Sequence, residues 1–381
     1  MGAFTSEDIQ AYQAHYAMPK RPPGYQSIRT SKKNTISIQQ AVRKNAGVWC
    51  IRNFDSLTPS PRTGHCSVFG PQFNYVVVCY GNTPTEQLLN DFWYLDLNSN
   101  KWTQINVQDA DLQPRTGARA VLIGIDLWIF GGTTETAFLN DLHVVNLQTG
   151  AVTRPQTTGD APTARTNHIM AYNKGKIIVY SGSDVTVLSD MYILDVESLH
   201  WTQVNLNVGR SGACSAMIDN KLYIYGASQT PGFLVFDFQP NDGYIQKVSG
   251  TCPPSTVTNA TLVPFDNYLL LIGGETRDDT QGDSQFAPIY VYDIEKSHWD
   301  IFNIQPDNVT TLQHDGTVDK NGNFIIPTTS QSTSVYNAIT REISIFLGTP
   351  GLNPPNQYVI VAANALSSLH MQKDLLSMLY R

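Results

Sequence analysis

From Val48 onward the chain reads as short apolar runs separated by turn residues. His65-Cys66-Ser67-Val68-Phe69 alternates. Val76-Val77-Val78-Cys79-Tyr80-Gly81 is continuously apolar and ends in small residues, and a third run, FWYLDL, follows Asn90-Asp91. The order then returns. The second run recurs as Leu127-Trp128-Ile129-Phe130-Gly131-Gly132, Ile177-Ile178-Val179-Tyr180-Ser181-Gly182, Leu222-Tyr223-Ile224-Tyr225-Gly226 and Leu269-Leu270-Leu271-Ile272-Gly273-Gly274. The third recurs as LHVVNL after Asn140-Asp141 and MYILDV after Ser189-Asp190, and a tryptophan follows at Trp102, Trp201 and Trp299. Runs this short, rich in β-branched and aromatic residues, predict strands, and four per unit predict a four-stranded antiparallel meander. One such sheet cannot bury both faces alone. Copies must stack, and radial stacking closed into a ring protects their edges.

The first four units open on an arginine. Pro61-Arg62-Thr63-Gly64 returns as Pro114-Arg115-Thr116-Gly117, and more loosely as Ala164-Arg165-Thr166-Asn167 and Gly209-Arg210-Ser211-Gly212. With the double glycine, the spaced Tyr/Asp pairs (Tyr94 and Asp96, Tyr192 and Asp195, Tyr292 and Asp293) and the later tryptophan, these residues resemble the kelch family over roughly Val48 to Leu347. The resemblance implies an all-β fold: a six-bladed kelch-like β-propeller of four-stranded antiparallel blades. Its units begin near Arg62, Arg115, Arg165, Arg210, Thr258 and His314. The fourth unit lacks the tryptophan. The last departs further: Phe324-Ile325-Ile326-Pro327-Thr328 lacks the glycine pair, and Ile343 and Ile345 stand where the tryptophan is due. Residues 47–54 look like a lone fourth strand able to close the ring, while residues 341–346 compete for that place.

Residues 1–47 read as a basic, mostly disordered arm, residues 48–350 as the propeller, and residues 351–381 as a C-terminal helical extension. The last rests on Leu366, Leu369, Leu376 and Leu379 near helical spacing. The arm holds seven basic residues between Lys20 and Lys44 and no acidic one there, whereas 18 basic face 30 acidic residues from Asn45 onward. An acidic body with a basic arm argues against a nucleic-acid partner. Five cysteines, odd in number and without CxxC spacing, argue against a disulfide framework or structural zinc. No apolar run approaches the length of a transmembrane segment, and no secretory signal opens the chain. A cytoplasmic protein is expected.

Loops from strand two to three and from strand four to one share one face and run long, as at 82–90, 132–140 and 274–288. Binding residues concentrate on long loops held by a rigid scaffold. Arg62, Arg115, Arg165 and Arg210 start the inner strands on that face and are the candidate partner-binding residues. Ringing the channel mouth, they would hold a carboxylate or phosphate through their planar forks. The structural reading has each pair with a neighbouring blade's Asp or a loop carbonyl. His65 and His168 follow two of these arginines by three residues, and His314 opens the last unit. They are either channel groups for metal or proton transfer, or histidines bonded to adjacent backbone. The repeated Asn-Asp and Ser-Asp pairs read as loop-closing residues. Glu275, Asp278, Asp279 and Asp283 crowd one loop on the same face, a density suited to hard cations. The spacing of Glu275, Asp279 and Asp283 is similar to the Glu/Asp/His iron pattern of kelch-type plant specifier proteins, with Asp in place of His. A solvated acidic loop is the other reading.

No nucleophile elbow, P-loop, dinucleotide fingerprint or HExxH is present. The expected function is therefore a non-enzymatic scaffold or adaptor, without cofactor, that binds a protein partner, as an acidic or extended peptide, at the long-loop mouth. The family resemblance implies cytoskeletal, vesicle-traffic or ubiquitin-ligase associations. The alternative is a metal-dependent lyase or isomerase using loop 275–283.

Overall fold

The computed structural model describes residues 47–361 except 55, 110, 207, 240–241, 266, 277–285, 303, 307–325, 328, 341 and 350–355. The chain is an all-β propeller of four-stranded antiparallel blades. Five sheets are continuous in sequence. The first runs from the inner strand Cys66–Gly70 through Tyr75–Cys79 and Phe92–Asp96 to Lys101–Ile105. The second spans Arg119–Ile123 to Val152–Thr153, the third Ile169–Asn173 to His200–Asn205, the fourth Cys214–Ile218 to Asp242–Gln246 and the fifth Thr261–Phe265 to His298–Phe302. The remaining large sheet is composite. Thr333–Asn337, Glu342–Phe346 and Asn356–Val361 come from the C-terminal side, and Gly47–Asn53 pairs with Asn356–Val361 from the N-terminal side.

Position in the blade explains the sequence texture. Second strands pack between neighbouring sheets on both faces, so Tyr75–Cys79 and Lys176–Tyr180 bury four of five side chains each and read as continuous apolar runs. The outer strand Lys101–Ile105 buries mainly Trp102 and keeps Lys101, Thr103 and Gln104 in water. Each core cluster lies between two sheets. Val77 and Phe92 of the first meet Leu127 and Val145 of the second. Val121 and Phe130 of the second meet Ile177 and Trp201 of the third. The series closes where Val76, Val78 and Trp102 of the first sheet pack with Val335 and Phe346 of the composite sheet.

The composite sheet corrects the reading of the last unit. Its inner strand follows Thr329-Ser330-Gln331, so the unit does not begin near His314, which lies outside the described residues. Ile326–Pro327 pairs instead with Phe286–Ala287 in a separate two-stranded sheet. The reason lies in the turn: Leu347 and Gly348 take the left-handed conformations that Tyr80 and Gly81 take in the first sheet, and Phe324–Thr328 offers no glycine for that role. Residues 342–346 form the second strand, not the outer one. The outer place belongs to Gly47–Asn53, with Asn356–Val361 between them. The sheet thus takes in a strand beyond residue 350. Trp49 opposes Ile360 in the register in which Trp102 opposes Leu95 and Trp201 opposes Leu194, so the missing tryptophan of the last unit stands at the other end of the chain. The basic arm before residue 47 and the helix expected over 362–380 lie outside the described residues.

Candidate functional site: the channel and its mouth

The residue two places after each unit's arginine position turns the chain into the channel. Gly64, Gly117, Asn167, Gly212, Asn259 and Gln331 all adopt positive φ, between 50° and 77°. Their backbones join from sheet to sheet: the N–H of Gly117 donates to the Gly64 carbonyl at 2.7 Å, Asn167 to Gly117 at 2.9 Å and Gly212 to Asn167 at 3.1 Å. Asn259 then donates to Gly212 at 2.8 Å and Gln331 to Asn259 at 2.9 Å. Glycine and asparagine dominate here because a left-handed backbone strains other side chains. A second set of bonds runs further out, where Gly81 donates to the Arg115 carbonyl, Gly132 to Arg165 and Gly348 to Arg62, each at 2.9 Å. The Gly348 bond and the 2.8 Å contact of His65 Nε2 with Thr333 Oγ1 tie the composite sheet to the first.

The four repeated arginines are buried, none more than 2% exposed. Arg62 donates to both oxygens of Asp91, at 2.5 and 2.8 Å, and to the Tyr80 and Ser60 carbonyls. Arg165 repeats this with Asp190 at 2.6 and 3.0 Å and with Ser181 and Thr163. Arg115 donates to Asp141 at 2.6 Å and to the Gly131 carbonyl. The acid is the unit's own, 25 to 29 residues on, and not a neighbouring blade's. Burial raises the Asp91 carboxyl, but the bonds and charge of Arg62 outweigh it and hold the group below the ordinary carboxylate range. Asp141 is lowered further by His143 and Arg115 against the same burial. Among the described residues Arg210 has no such acid. Its Nη1 reaches the Gly226 and Gly232 carbonyls at 3.4 and 3.5 Å, its Nε has no partner, and burial lowers its pKa. Enclosed in this way, the arginines hold the Asp-bearing loops against the inner-strand entries, and none presents its fork at the surface.

What lines the channel is a different set. A cavity of about 250 Å³ is bounded by His65 and Ser67 of the first sheet, Arg119 of the second, His168 of the third and corresponding residues of the others. Among the described residues no acidic side chain lines it. His65 is pushed down to about 3 by burial and by the charges of Arg62 and Arg119, and His168 lies well below the ordinary imidazole value through burial, Arg119 and Arg165. Both are neutral at pH 7. Arginine charges beside them oppose a metal cation, so the proton-transfer and metal readings of these histidines find no support. Arg119 carries no repeat signature and was not legible as a site residue. The one signal is its place, four residues after Arg115, at the start of an inner strand.

Above the cavity, the loops between second and third strands fold back beside the arginine segments through bridges such as Thr63 to Asn82 to Leu88 and Thr166 to Ser183 to Val187. Their tips are exposed and carry apolar side chains: Phe138 at 37%, Val187 at 60% and Val185 at 92%. Of the candidate metal residues, Glu275 is exposed and accepts a 3.4 Å bond from Asn259, while Asp279 and Asp283 lie outside the described residues. Among the described residues no three His, Cys, Asp or Glu side chains converge on a metal position, and no helix is long and apolar enough to cross a membrane.

Residues 24–227, more than half the chain, match the family model of the KLHDC2/KLHL20/DRC7 Kelch-repeats domain. Among curated proteins the chain is 34% identical over 137 residues to the Arabidopsis thaliana acyl-CoA-binding domain-containing protein 4, covering 35% of this chain and 20% of that one. It is 29% identical over 152 residues to the Schizosaccharomyces pombe tip elongation aberrant protein 3, covering 32% and 13%. It is also 27% identical over 164 residues to Rattus norvegicus host cell factor 1, covering 36% and 8%. The chain thus matches only a small part of each relative's length.

Proposed function

Because the chain belongs to the KLHDC2/KLHL20/DRC7 Kelch-repeats family, we propose that it is a non-enzymatic, cytoplasmic protein-interaction scaffold. In this reading the composite sheet is the sixth blade of a closed ring, and an extended acidic segment of a partner protein lies across the long-loop mouth. The observation that carries it is the pairing of exposed apolar loop tips with a cationic cavity on the same face, whose described lining holds no acid. Phe138, Val185 and Val187 supply area that a partner gains by covering. Lumen charge draws acidic side chains toward the centre although the molecule as a whole carries −7. The buried arginines act indirectly, since their ion pairs fix where the loops stand, and a rigid loop binds at lower entropic cost. Affinity purification of the wild type and of a Phe138→Asp, Val185→Asp double variant tests this. Circular dichroism checks that both are folded. A partner lost with the folded variant supports mouth binding, whereas an unchanged set of partners refutes it.

A further inference from the structure

The face opposite the mouth, where the short turns lie, carries a cleft of about 430 Å³ between the fourth and fifth sheets. Asp219, Lys221 and Asp237 from turns of the fourth sheet face Asn267 and Glu295 from turns of the fifth. Three carboxylates against one ammonium make the lining net negative. Lys221 Nζ stands 3.8 Å from Asp237, and Asp219, exposed at its turn, makes no ion pair among the described residues. Glu295 accepts a 2.9 Å bond from a neutral partner, the Asn267 amide. Tyr223 forms the floor. Only 5% exposed, it packs its ring into the core with Phe233 and Leu269. Its hydroxyl opens on the cleft and makes no hydrogen bond among the described residues. Burial first, then Tyr244, Tyr292, Asp219 and Asp237, raise that hydroxyl to about 12, so it keeps its proton at pH 7 and turns oxygen lone pairs toward the carboxylates' side of the cleft. A polar group held there without a partner calls for a donor from outside the described residues.

We propose that this cleft docks the chain's own basic arm, taking a side chain of the stretch from Arg29 to Lys33 between Asp219, Glu295 and the Tyr223 hydroxyl. Chemistry, exit point and reach select this occupant. Carboxylate and hydroxyl oxygens suit a group that only donates, and lysine and arginine are such groups. A bare metal ion is not held, since no three acids among the described residues converge and Lys221 opposes it. The arm between Lys20 and Lys44 carries seven basic residues and no acidic one. It also leaves the ring at the right place. Val48 opposes Val361, the end of the strand that runs away from the mouth, so Gly47 stands on the short-turn face. Gly47 to Trp49 lie alongside Ile304–Pro306, the segment that follows the fifth sheet's outer strand. Lys33 precedes Gly47 by 14 residues, a reach of roughly 46 Å when extended. The radius of gyration of a domain of about 300 residues is about 19 Å, so a cleft one sheet away lies within that reach.

The test uses the full chain at high dilution. Carbodiimide coupling joins lysine amines to carboxylates in contact, and mass spectrometry of the single-chain fraction locates the links. Lys32 or Lys33 is expected to link to Asp219 or Glu295 and not to Asp195 or Glu197, which stand on the same face in the third sheet. Trypsin gives a second readout. Cleavage after Arg29, Lys32 and Lys33 is expected to quicken about fivefold in the Asp219→Asn, Glu295→Gln double variant, the loss of two ion pairs of ordinary exposed strength. At about 0.5 M salt the two proteins should be cut at the same rate, because screening removes those pairs from the wild type as well. Both substituted side chains are exposed, and asparagine accepts the φ of 54° at position 219, so the variant is expected to fold, with circular dichroism as the check. Arm links that are absent, or spread evenly over the carboxylates of this face, overturn the proposal, as does a folded variant cut at the wild-type rate. Links found only between two chains overturn internal docking and assign the cleft to the arm of a second copy. Should the variant fail to fold, the wild-type links decide alone.

Discussion

Asp190→Asn tests the arginine frame most directly, because it removes a charge and keeps the shape. Arg165 is fully buried and makes two bonds to Asp190, so the variant leaves a cation facing a neutral amide whose NH₂ cannot accept. Removing one partner of a buried pair costs about 3–5 kcal/mol. The Asp190 side chain is 22% exposed, and the water that reaches it puts the expected loss at the lower end, about 3 kcal/mol. In a protein of this size that is a fall in Tm on the order of 5 °C. Arg210 supplies the contrast. It is equally buried, and among the described residues its side chain meets no acid and makes two long bonds to carbonyls. Arg210→Met deletes an uncompensated charge, and the expectation is no loss, with a gain of up to about 2 kcal/mol. Urea unfolding followed by tryptophan fluorescence reads both, provided the m-value stays constant. The reasoning fails if Arg210→Met loses as much stability as Asp190→Asn, or if Asp190→Asn loses less than about 1 kcal/mol.

Acid should weaken the fold well above the carboxylate range. The folded His65 pKa is depressed to about 3 against an ordinary 6.5, and His168 is depressed in the same direction, so the unfolded chain takes up protons that the native one refuses. Their contribution is complete above pH 6.5 and is lost as pH falls toward 3, at about 1.4 kcal/mol per pH unit per histidine. A stability profile from pH 7.5 to 4.5 checks this: His65→Gln should flatten the slope by one proton, and an unchanged slope counts against a neutral buried His65. The depressed Asp91 and Asp141 add a further loss of the same sign below about pH 4. Trp49→Ala, by emptying the place of the repeat tryptophan in the composite sheet, should cost about 3–5 kcal/mol in denaturant unfolding. A loss under about 1 kcal/mol would show that Gly47–Asn53 does not hold the ring closed.

Local pattern made much of this protein legible. Runs such as Val76–Gly81 and Leu127–Gly132 announce strands buried on both faces, and the recurring arginine, double glycine and tryptophan announce units that must stack. The arginines were legible as a set, with ligand binding and pairing to an Asp or loop carbonyl both open, and the structure gives three of them such partners, the Asp coming from their own unit. A repeated cation looks alike in sequence whether it faces a ligand or an aspartate 25 to 29 residues on, and only the return of the second-to-third loop brings that aspartate within 3 Å. The same holds for Asp91, Asp141 and Asp190, read as loop-closing residues and found to be the counter-ions. Arg119 was missed: beyond its place four residues after Arg115, nothing local separates a lumen guanidinium from one on a solvated face.

The amino-acid sequence by itself determined the all-β class, the repeat, the inner, middle and outer strands of the first five sheets, and the face on which the long loops lie. These depend on side-chain alternation and turn residues, which act over a few neighbours. Tertiary structure alone decided how the two ends of the chain combine, with Gly47–Asn53 laid beside Asn356–Val361, which begins some 300 residues away. It alone decided which cations are neutralised and which, like Arg119, are left to face the channel. Both depend on contacts between residues far apart in sequence, and a closed ring forms those contacts only when every sheet is in place.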